Sequence, residues 1–377
     1  MKRALVTAIG AALCVTPIIV GTPLLAQTKA KASAYKAPRN ALGQPDLSGY
    51  WSNATLTPES RPAQYGERLI HTPEEVARLE AAVVLEIETG NQSTDPNAPA
   101  PKVGGETPPP NTRPEFIAAG GNVGGYNRGW LETGDHVMRV NGEPRTSFLT
   151  TPNGRPPARK TQAAAPAGAG RGGAPAAAAA GGRGGGGGGA GRAGPADNPE
   201  QRSLGDRCII SFGRNAGPPM LPNGFYNNNY HFVQSKDAVA IVVEMVHDTR
   251  VIRLNAKHRT DGIRPWFGDS IGWWEGDTLV AETTHIPQRL AYQGSWENLK
   301  VTERFTRVSP TRMHYRYTVE DPTVWDGAWG GEYEFNTLNG KIEEYACHEG
   351  NYALEGILAG ERNAERMAAQ GGGRGTQ

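Results

Sequence analysis

Residues 299–320 read LKVTERFTRVSPTRMHYRYTVE, two alternating apolar and polar segments on either side of a short turn. Alternation with a period of two is typical of strands that bury one face. In the first segment, Val301 and Phe305 share a face with an acid, Glu303. In the second, the apolar face carries Tyr315 and Tyr317. The stretch therefore predicts two antiparallel strands with an acidic residue among apolar neighbours.

The same pattern recurs over most of the C-terminal half. Strands are predicted at residues 230–235, 239–245, 250–254, 271–274, 278–285, 299–308, 313–320 and 331–337. Short polar turns favour pairing of consecutive strands, and a meander of this length either curls shut or leaves an exposed edge. We predict a mainly β fold, an antiparallel meander closing into a calycin/lipocalin-like barrel. A two-sheet β-sandwich is the alternative.

The N-terminal half supplies further strands and one helix of the barrel domain, predicted over residues 40–154. The segment PDLSGYW at 45–51 predicts a first strand, and residues 136–151 predict a hairpin. TPEE at 72–75 combines a capping residue, a proline and acids in a first turn, which predicts a short helix that ends before Gly90.

The first residues indicate export. A basic start, MKR, precedes an apolar run that ends near Ala26, which predicts a signal peptide over residues 1–26 and a periplasmic or secreted protein. The alternative is an uncleaved membrane anchor. Removal of the signal takes Cys14 with it and leaves Cys208 and Cys347, which we predict to form a disulfide rather than two buried thiols.

Composition divides the rest of the chain. Residues 155–200 are rich in glycine, alanine and arginine and predict a disordered insertion, with an Arg/Gly-rich binding segment as the alternative. Residues 201–362 form the predicted main β domain, and residues 363–377 a disordered tail.

Charge and motifs exclude several classes of function. The formal net charge is +1, without the clustered basic surface that nucleic-acid binding requires. No second long apolar run follows the signal, so no stable membrane insertion is expected after cleavage. No nucleotide-binding glycine motif is present, and no cofactor is predicted.

Two segments carry residues suited to proton transfer. His247 and Asp248 supply an imidazole and a carboxylate, and Arg250 could hold an anionic group. His348 and Glu349 follow Cys347, so the predicted disulfide would hold them on a fixed segment. A structural role in turns is the alternative for these residues.

Other polar and aromatic residues suit recognition of a small ring-bearing or hydroxylated molecule. The predicted binding residues are Arg250, Tyr226, Asn228, Tyr230, Trp266, Asp269 and Glu303. Alternatively, the asparagines stabilise turns and the aromatic side chains fill the barrel end.

No metal site is predicted, because no known metal-ligand spacing occurs in the sequence. A lesser hypothesis brings the two histidine segments together around a catalytic metal. Its ligands would be His247, His348 and Glu349, with a further ligand from His231, His258 or His285.

The motifs HDTR at 247–250, WEGDTLV at 274–280 and EYACHEGNY at 344–352 resemble those of a family of uncharacterised exported bacterial proteins. The resemblance runs from residue 45 and is almost unbroken over residues 207–360. It implies no known reaction. The chain departs from the family pattern in the glycine-rich insertion, in Ile271 and Trp273 at positions where arginines are usual, and in His285, where asparagine is expected.

These observations predict an exported small-molecule-binding β-barrel with a polar His/Asp/Arg pocket. The first alternative is a cofactor-free acid-base enzyme, a lyase, isomerase or hydrolase that uses His247 and His348. The second alternative is a structural envelope protein. In each of the first two cases the partner is a small molecule.

Overall fold

The computed structural model describes residues 35–90, 132, 134–160, 198–211, 213–223 and 227–371. The predicted signal peptide, residues 1–26, lies outside the described residues, and so does most of the predicted insertion at 155–200. At the near edge of that insertion, Lys160 is described and donates from its backbone N–H to the carbonyl of Val324, 2.7 Å away.

The fold is mainly β, as predicted, and the described residues include two α-helices. The strands are β1 (Gly49–Ser52), β2 (Arg139–Val140), β3 (Glu143–Pro144), β4 (Asn229–Gln234), β5 (Ala238–Val243), β6 (Thr249–Leu254), β7 (Asp269–Glu275), β8 (Thr278–Thr284), β9 (Lys300–Ser309), β10 (Arg312–Glu320) and β11 (Trp329–Thr337). The α-helices are α1 (Pro73–Gly90) and α2 (Tyr352–Gly371). Short 3-10 turns lie at Ala63–Tyr65, Pro199–Gln201, Met245–His247 and Gln288–Leu290.

Nine strands close into a barrel in the order β1-β11-β10-β9-β8-β7-β6-β5-β4. Strand β1 closes it, because Trp51 pairs with Tyr230 on β4 and with Thr337 on β11. The predicted barrel is therefore confirmed, and the two-sheet sandwich is not adopted. The separate hairpin β2-β3 turns at Asn141 and Gly142, both with positive φ, as a tight hairpin requires.

One strand pair departs from the predicted antiparallel meander. Strands β6 and β7 pair in parallel, with Ile252 opposite Ser270. A parallel pair needs a crossover connection of about a dozen residues or more, because the chain must return to the end where the first strand began. Residues 255–268 form this crossover.

Aromatic side chains fill the barrel interior, which is the usual condition of a small barrel. Eight of them are at most 1% exposed: Trp51, Tyr230, Phe232, Phe305, Tyr315, Tyr317, Tyr333 and Phe335. Burial alternates along the strands as the sequence predicts, with the odd-numbered residues of β10 from Met313 to Val319 facing inward. Within the described residues, the barrel interior is thus a packed core of buried side chains.

Helix α1 agrees with the sequence prediction, whereas α2 differs from it. Thr72 and Glu75 each accept a hydrogen bond from the other's backbone N–H, so the predicted cap of α1 is a capping box. Helix α2 covers residues 352–371, which corrects the prediction that 363–377 is a tail without structure as far as residue 371. The physical reason is the run of strong helix formers at 364–369, AERMAA.

Among the described residues, no helix is both long and apolar enough to cross a membrane.

The predicted disulfide is present between Cys208 and Cys347, with a Cα–Cα distance of 5.7 Å. It closes a loop across 139 residues, which contains every barrel strand except β1. A crosslink over such a long loop restricts the unfolded chain strongly.

We expect the Cys208→Ser/Cys347→Ser variant to lose about 2–5 kcal/mol of unfolding free energy, because its unfolded state regains the loop-closure entropy. Urea denaturation, followed by tryptophan fluorescence, measures the loss. The reduced wild type serves as control and should unfold at the same urea concentration as the variant. Equal midpoints for the oxidised wild type and the variant would show that the crosslink adds no stability.

Candidate functional site

The topology brings several of the predicted functional residues to one end of the barrel, which we call the polar end. Here strands β4, β6, β7, β9 and β11 begin, while β1, β5, β8 and β10 end. Asn228 precedes β4, His247 and Asp248 join β5 to β6, and Asp269 opens β7. The residues therefore share one region, although they do not all contact one another.

Arg250 and Glu303 form an ion pair inside the barrel, where they are 2% and 0% exposed. The guanidinium donates to both carboxylate oxygens, and its Nε donates to the hydroxyl of Ser270 at 3.1 Å. The second guanidinium nitrogen also reaches Thr283 Oγ1 at 2.9 Å, and the Tyr315 hydroxyl donates to Glu303 at 2.8 Å. The geometry gives this predicted binding pair a structural role, because protein groups satisfy it within a filled core.

Asp248 also has a structural partner. Its carboxylate accepts a hydrogen bond of 2.7 Å from the backbone N–H of Ser211, three residues after the disulfide-bonded Cys208. Burial raises the pKa of Asp248 above its usual range, and the Ser211 hydrogen bonds oppose that rise. The acid therefore anchors the disulfide loop to the β5–β6 turn.

Glu244 anchors the other side of the same crosslink. Its carboxylate accepts from the backbone N–H of Glu343 at 2.7 Å and from the side-chain amide of Asn229 at 2.8 Å. Asn351 donates to the carbonyl of Asp206 at 2.8 Å. The disulfide and these hydrogen bonds thus hold the segments around Cys208 and Cys347 together. This is why the HDTR and EYACHEGNY motifs lie close to each other.

The two predicted catalytic histidines do not meet. His247, which adopts a positive φ of 46°, and His348 are both exposed, as is Glu349. Within the described ranges, neither imidazole makes a hydrogen bond, an ion pair or a ring contact. A shared proton-transfer site of His247 and His348 therefore has no support from the geometry.

The predicted asparagine and tyrosine contacts are internal as well. Asn228 is fully buried and accepts from the backbone N–H of Asn223 at 2.9 Å. Tyr230 is buried in the barrel, where its hydroxyl accepts from the Asn53 amide at 3.1 Å. Both residues therefore support the barrel end. Tyr226 lies outside the described residues.

A cluster that the sequence did not predict lies at the same end. His258, Asp269 and His285 each bring one potential ligand atom within 4.8 Å of the other two. His258 Nδ1 lies 2.9 Å from Asp269 Oδ2, and the Thr284 hydroxyl lies 3.3 Å from His258 Nδ1 and 2.8 Å from His285 Nδ1. We call these three residues the His-Asp-His cluster.

Backbone pairing assembles the cluster. Asp269, the first residue of β7, pairs with Thr284, the last residue of β8, so His285 follows directly beside it. The crossover brings His258 to them and closes against β8 at Gly268, which has a φ of +73°. A Cβ at Gly268 would lie 2.7 Å from the carbonyl oxygen of Thr284, so only glycine permits this approach.

Asp269 carries its charge in this setting. Burial raises its pKa, but hydrogen bonds from the Arg259 backbone N–H, His258 and Arg253 outweigh burial and leave the pKa below its usual range. Arg253 donates to the other carboxylate oxygen at 2.6 Å. The second nitrogen of His258 faces Glu282 at 3.2 Å, so carboxylates flank both sides of that imidazole.

Two surface clefts adjoin the cluster. The larger, about 270 Å³, is lined by Arg264, Pro265, Trp266, Pro287, Gln288 and Arg289. The smaller, about 130 Å³, is lined by Arg264, Thr284, His285, Glu297, Asn298 and Leu299. Arg264 borders both clefts and is held by the carbonyls of Ile286 and Glu297, at 2.9 and 3.1 Å.

Another ionisable group, Glu59, lies partly buried elsewhere at the polar end. The Tyr292 hydroxyl donates to Glu59, and the Arg214 guanidinium carbon lies 4.7 Å from the centre of the Tyr292 ring. Burial raises the pKa of Glu59, although Tyr292 and Arg214 oppose the rise. No chemical pattern around Glu59 marks it in the sequence.

Part of the His-Asp-His cluster could have been found from the hairpin turn. If Glu275 is paired with Thr278 around the turn Gly276-Asp277, counting outward places Asp269 opposite Thr284 and beside His285. His258 carries no such signal, because its position depends on the path of the crossover.

A double-mutant cycle tests the structural role of the buried pair. Arg250→Met should cost about 3–5 kcal/mol of unfolding free energy, because it strands the Glu303 charge in the core. The Arg250→Met/Glu303→Leu variant should lose less than the sum of the two single variants. Denaturant titration measures all of these values.

The exposed pair Arg304–Glu275, 2.7 Å apart with both side chains more than 40% exposed, is the matched control. Arg304→Met should cost no more than about 1 kcal/mol, because water screens that pair. A cost for Arg250→Met as small as that of Arg304→Met would contradict the structural role.

The raised pKa of Glu59 predicts that the stability of the fold depends on pH. Because its folded pKa lies above the ordinary 4.5, the folded state holds this proton more tightly than the unfolded state, and stability falls as pH rises from the unfolded pKa through the folded pKa. Glu59→Gln removes that loss but keeps an acceptor for Tyr292. The thermal midpoint of the wild type should therefore fall relative to that of Glu59→Gln as pH rises above about 4.5. Parallel curves for the wild type and Glu59→Gln would contradict this prediction.

Comparison with known proteins assigns no family to the chain. No family model matches the sequence, and no curated protein matches it. The resemblance to exported bacterial proteins, stated above from the motifs at 247–250, 274–280 and 344–352, therefore stays a prediction. The function has to be argued from the geometry of the polar end.

Proposed function

We propose that this protein is an exported binding protein for a small organic anion, a carboxylate in particular, which it holds in the larger cleft at the polar end. The observation that carries the proposal is the lining of that cleft. Arg264 and Arg289 supply two guanidinium groups beside Trp266, and no acidic residue is among the lining residues.

The charge of the cleft favours an anion. Arg289 is exposed, and its guanidinium has no partner among the described residues, so it is available to a ligand. Arg264 uses two donors on carbonyl oxygens and retains others. Paired donors of guanidinium groups match the two oxygens of a carboxylate.

The apolar part of the cleft favours a ligand with a flat or aliphatic body. Trp266 is 48% exposed, which is unusual for so large an apolar surface, and Pro265 and Pro287 complete the wall. Indole rings stack on planar groups. A volume of about 270 Å³ lies near the lower limit of small-molecule sites and suits a compact acid.

The proposed site differs from the polar His/Asp/Arg pocket predicted from the sequence. Of the predicted binding residues, Trp266 lines the larger cleft and Asp269 belongs to the adjoining cluster. Because side chains fill the interior, the proposed site lies on the outer surface of the barrel end. Export is supported by the disulfide, since such bonds persist in oxidising compartments.

The acid-base enzyme that would use His247 and His348 is not favoured, because those side chains lack any contact with each other in the described part of the chain. A purely structural envelope protein would leave the charged cleft without a role.

Binding is tested by calorimetry with benzoate as the probe and benzamide as its neutral analogue. Benzoate should bind and benzamide should bind at least about tenfold more weakly, because a hydrogen bond to a charged group contributes about 1.5–3 kcal/mol. Arg289→Gln should weaken benzoate binding about tenfold without a change in thermal midpoint.

Arg316→Gln is the matched control, since Arg316 is also exposed but lies on β10, away from the cleft. Its affinity for benzoate should equal that of the wild type. Equal affinity for benzoate and benzamide, or equal losses in Arg289→Gln and Arg316→Gln, would overturn the proposal.

A further inference from the structure

The geometry points to a divalent metal site of the zinc class formed by His258, Asp269 and His285. Three side chains of the ligand types that zinc prefers come from three different parts of the fold: the crossover, the start of β7 and the turn after β8. The site adjoins the proposed anion cleft but does not depend on a ligand in that cleft.

The spacing of the ligand atoms fits one small ion. All three atoms lie within 4.8 Å of one another. Tetrahedral zinc with bonds of about 2.0–2.1 Å would set them about 3.3 Å apart, so modest side-chain rotation suffices. His258 Nδ1 and Asp269 Oδ2, at 2.9 Å, already lie closer than that.

The surrounding residues are those that orient metal ligands. A metal-bound histidine commonly donates its other ring N–H to a carboxylate, and His258 presents its Nε2 to Glu282 at 3.2 Å. A metal-bound carboxylate is commonly hydrogen-bonded as well, and Asp269 receives Arg253 on its other oxygen at 2.6 Å. With Nδ1 on the ion and Nε2 toward Glu282, the tautomer of His258 is fixed.

The ligand set selects the class of ion. Two imidazoles and one carboxylate suit zinc and similar transition metals, whereas calcium and magnesium prefer oxygen ligands. Three protein ligands leave a coordination position for water or substrate. Because His285 lines the smaller cleft, that position would border a space of about 130 Å³.

The site differs from the metal hypothesis drawn from the sequence. That hypothesis used His247, His348 and Glu349, and the structure brings none of these into the His-Asp-His cluster. His258 and His285 appeared there only as optional further ligands. Pairing of β7 with β8, together with the path of the crossover, selects them.

The test is calorimetry of the mature, untagged protein with Zn²⁺ alone, followed by native mass spectrometry to count bound ions. One Zn²⁺ per chain is expected. Mg²⁺ at the same concentration should not compete, because it binds histidine poorly.

Three variants assign the binding to these residues. His285→Asn removes a ligand but keeps a residue that tolerates the positive φ of 54° at this position, so the turn is preserved. We expect affinity to fall at least about 100-fold in His285→Asn and in His258→Ala. Glu282→Gln should weaken binding about 10–100-fold, as for other partners of metal-bound histidines.

His231→Ala is the matched control, because this imidazole stacks on Tyr50 elsewhere on the barrel. It should bind Zn²⁺ like the wild type, and so should Arg289→Gln, which separates this site from the anion cleft. Circular dichroism confirms that each variant is folded. Folded His285→Asn that binds Zn²⁺ as tightly as the wild type, or a wild type that binds no Zn²⁺, would overturn the proposal.

Discussion

The parallel pairing of β6 with β7 is the constraint on which the rest of this structure depends. Every other neighbouring pair in the barrel is antiparallel, so this one step forces the chain to travel back along the barrel before β7 can begin. The returning segment, 255–268, carries His258, Arg264 and Trp266 to the end where β7 starts and β8 finishes. A simple hairpin at this point would have been too short to bring an imidazole and a guanidinium there. The crossover therefore creates both the clefts and the His-Asp-His cluster.

The parallel pairing of β6 with β7 also organises the core. With β6 beside β7, Arg250 reaches Ser270 and crosses the barrel to Glu303 on β9, so the buried charges are neutralised among polar partners. A buried pair of this kind stabilises little by itself, but it disfavours any packing that separates its members. Aromatic side chains occupy the remaining interior. Since the interior is filled, the proposed ligand site lies at the surface of the polar end, where the loops between strands supply charged side chains.

Two features hold the polar end in shape. The disulfide between Cys208 and Cys347 is flanked by Asp248 and Glu244, whose carboxylates bind backbone N–H groups of the two crosslinked segments. In addition, Gly268 allows the crossover to approach β8. The HDTR and EYACHEGNY motifs thus belong to the region stabilised by the disulfide. His258 and His285, which stand outside any motif, lie beside the clefts.

The sequence by itself determined the strands, because alternation of apolar and polar residues depends only on which face of each strand is buried. It also determined the capping box of α1, the hairpin at Asn141-Gly142 and the pairing of the only two cysteines left after the predicted cleavage. Only the tertiary structure decided the partners of the polar residues. In sequence, Arg250, Glu303 and Asp248 are all suitable for binding a substrate. The closed barrel turned Arg250 and Glu303 toward each other in its interior, and the disulfide loop brought Ser211 to Asp248. Likewise, His258 reaches Asp269 through the parallel crossover, and strand order is a long-range property that local periodicity does not encode.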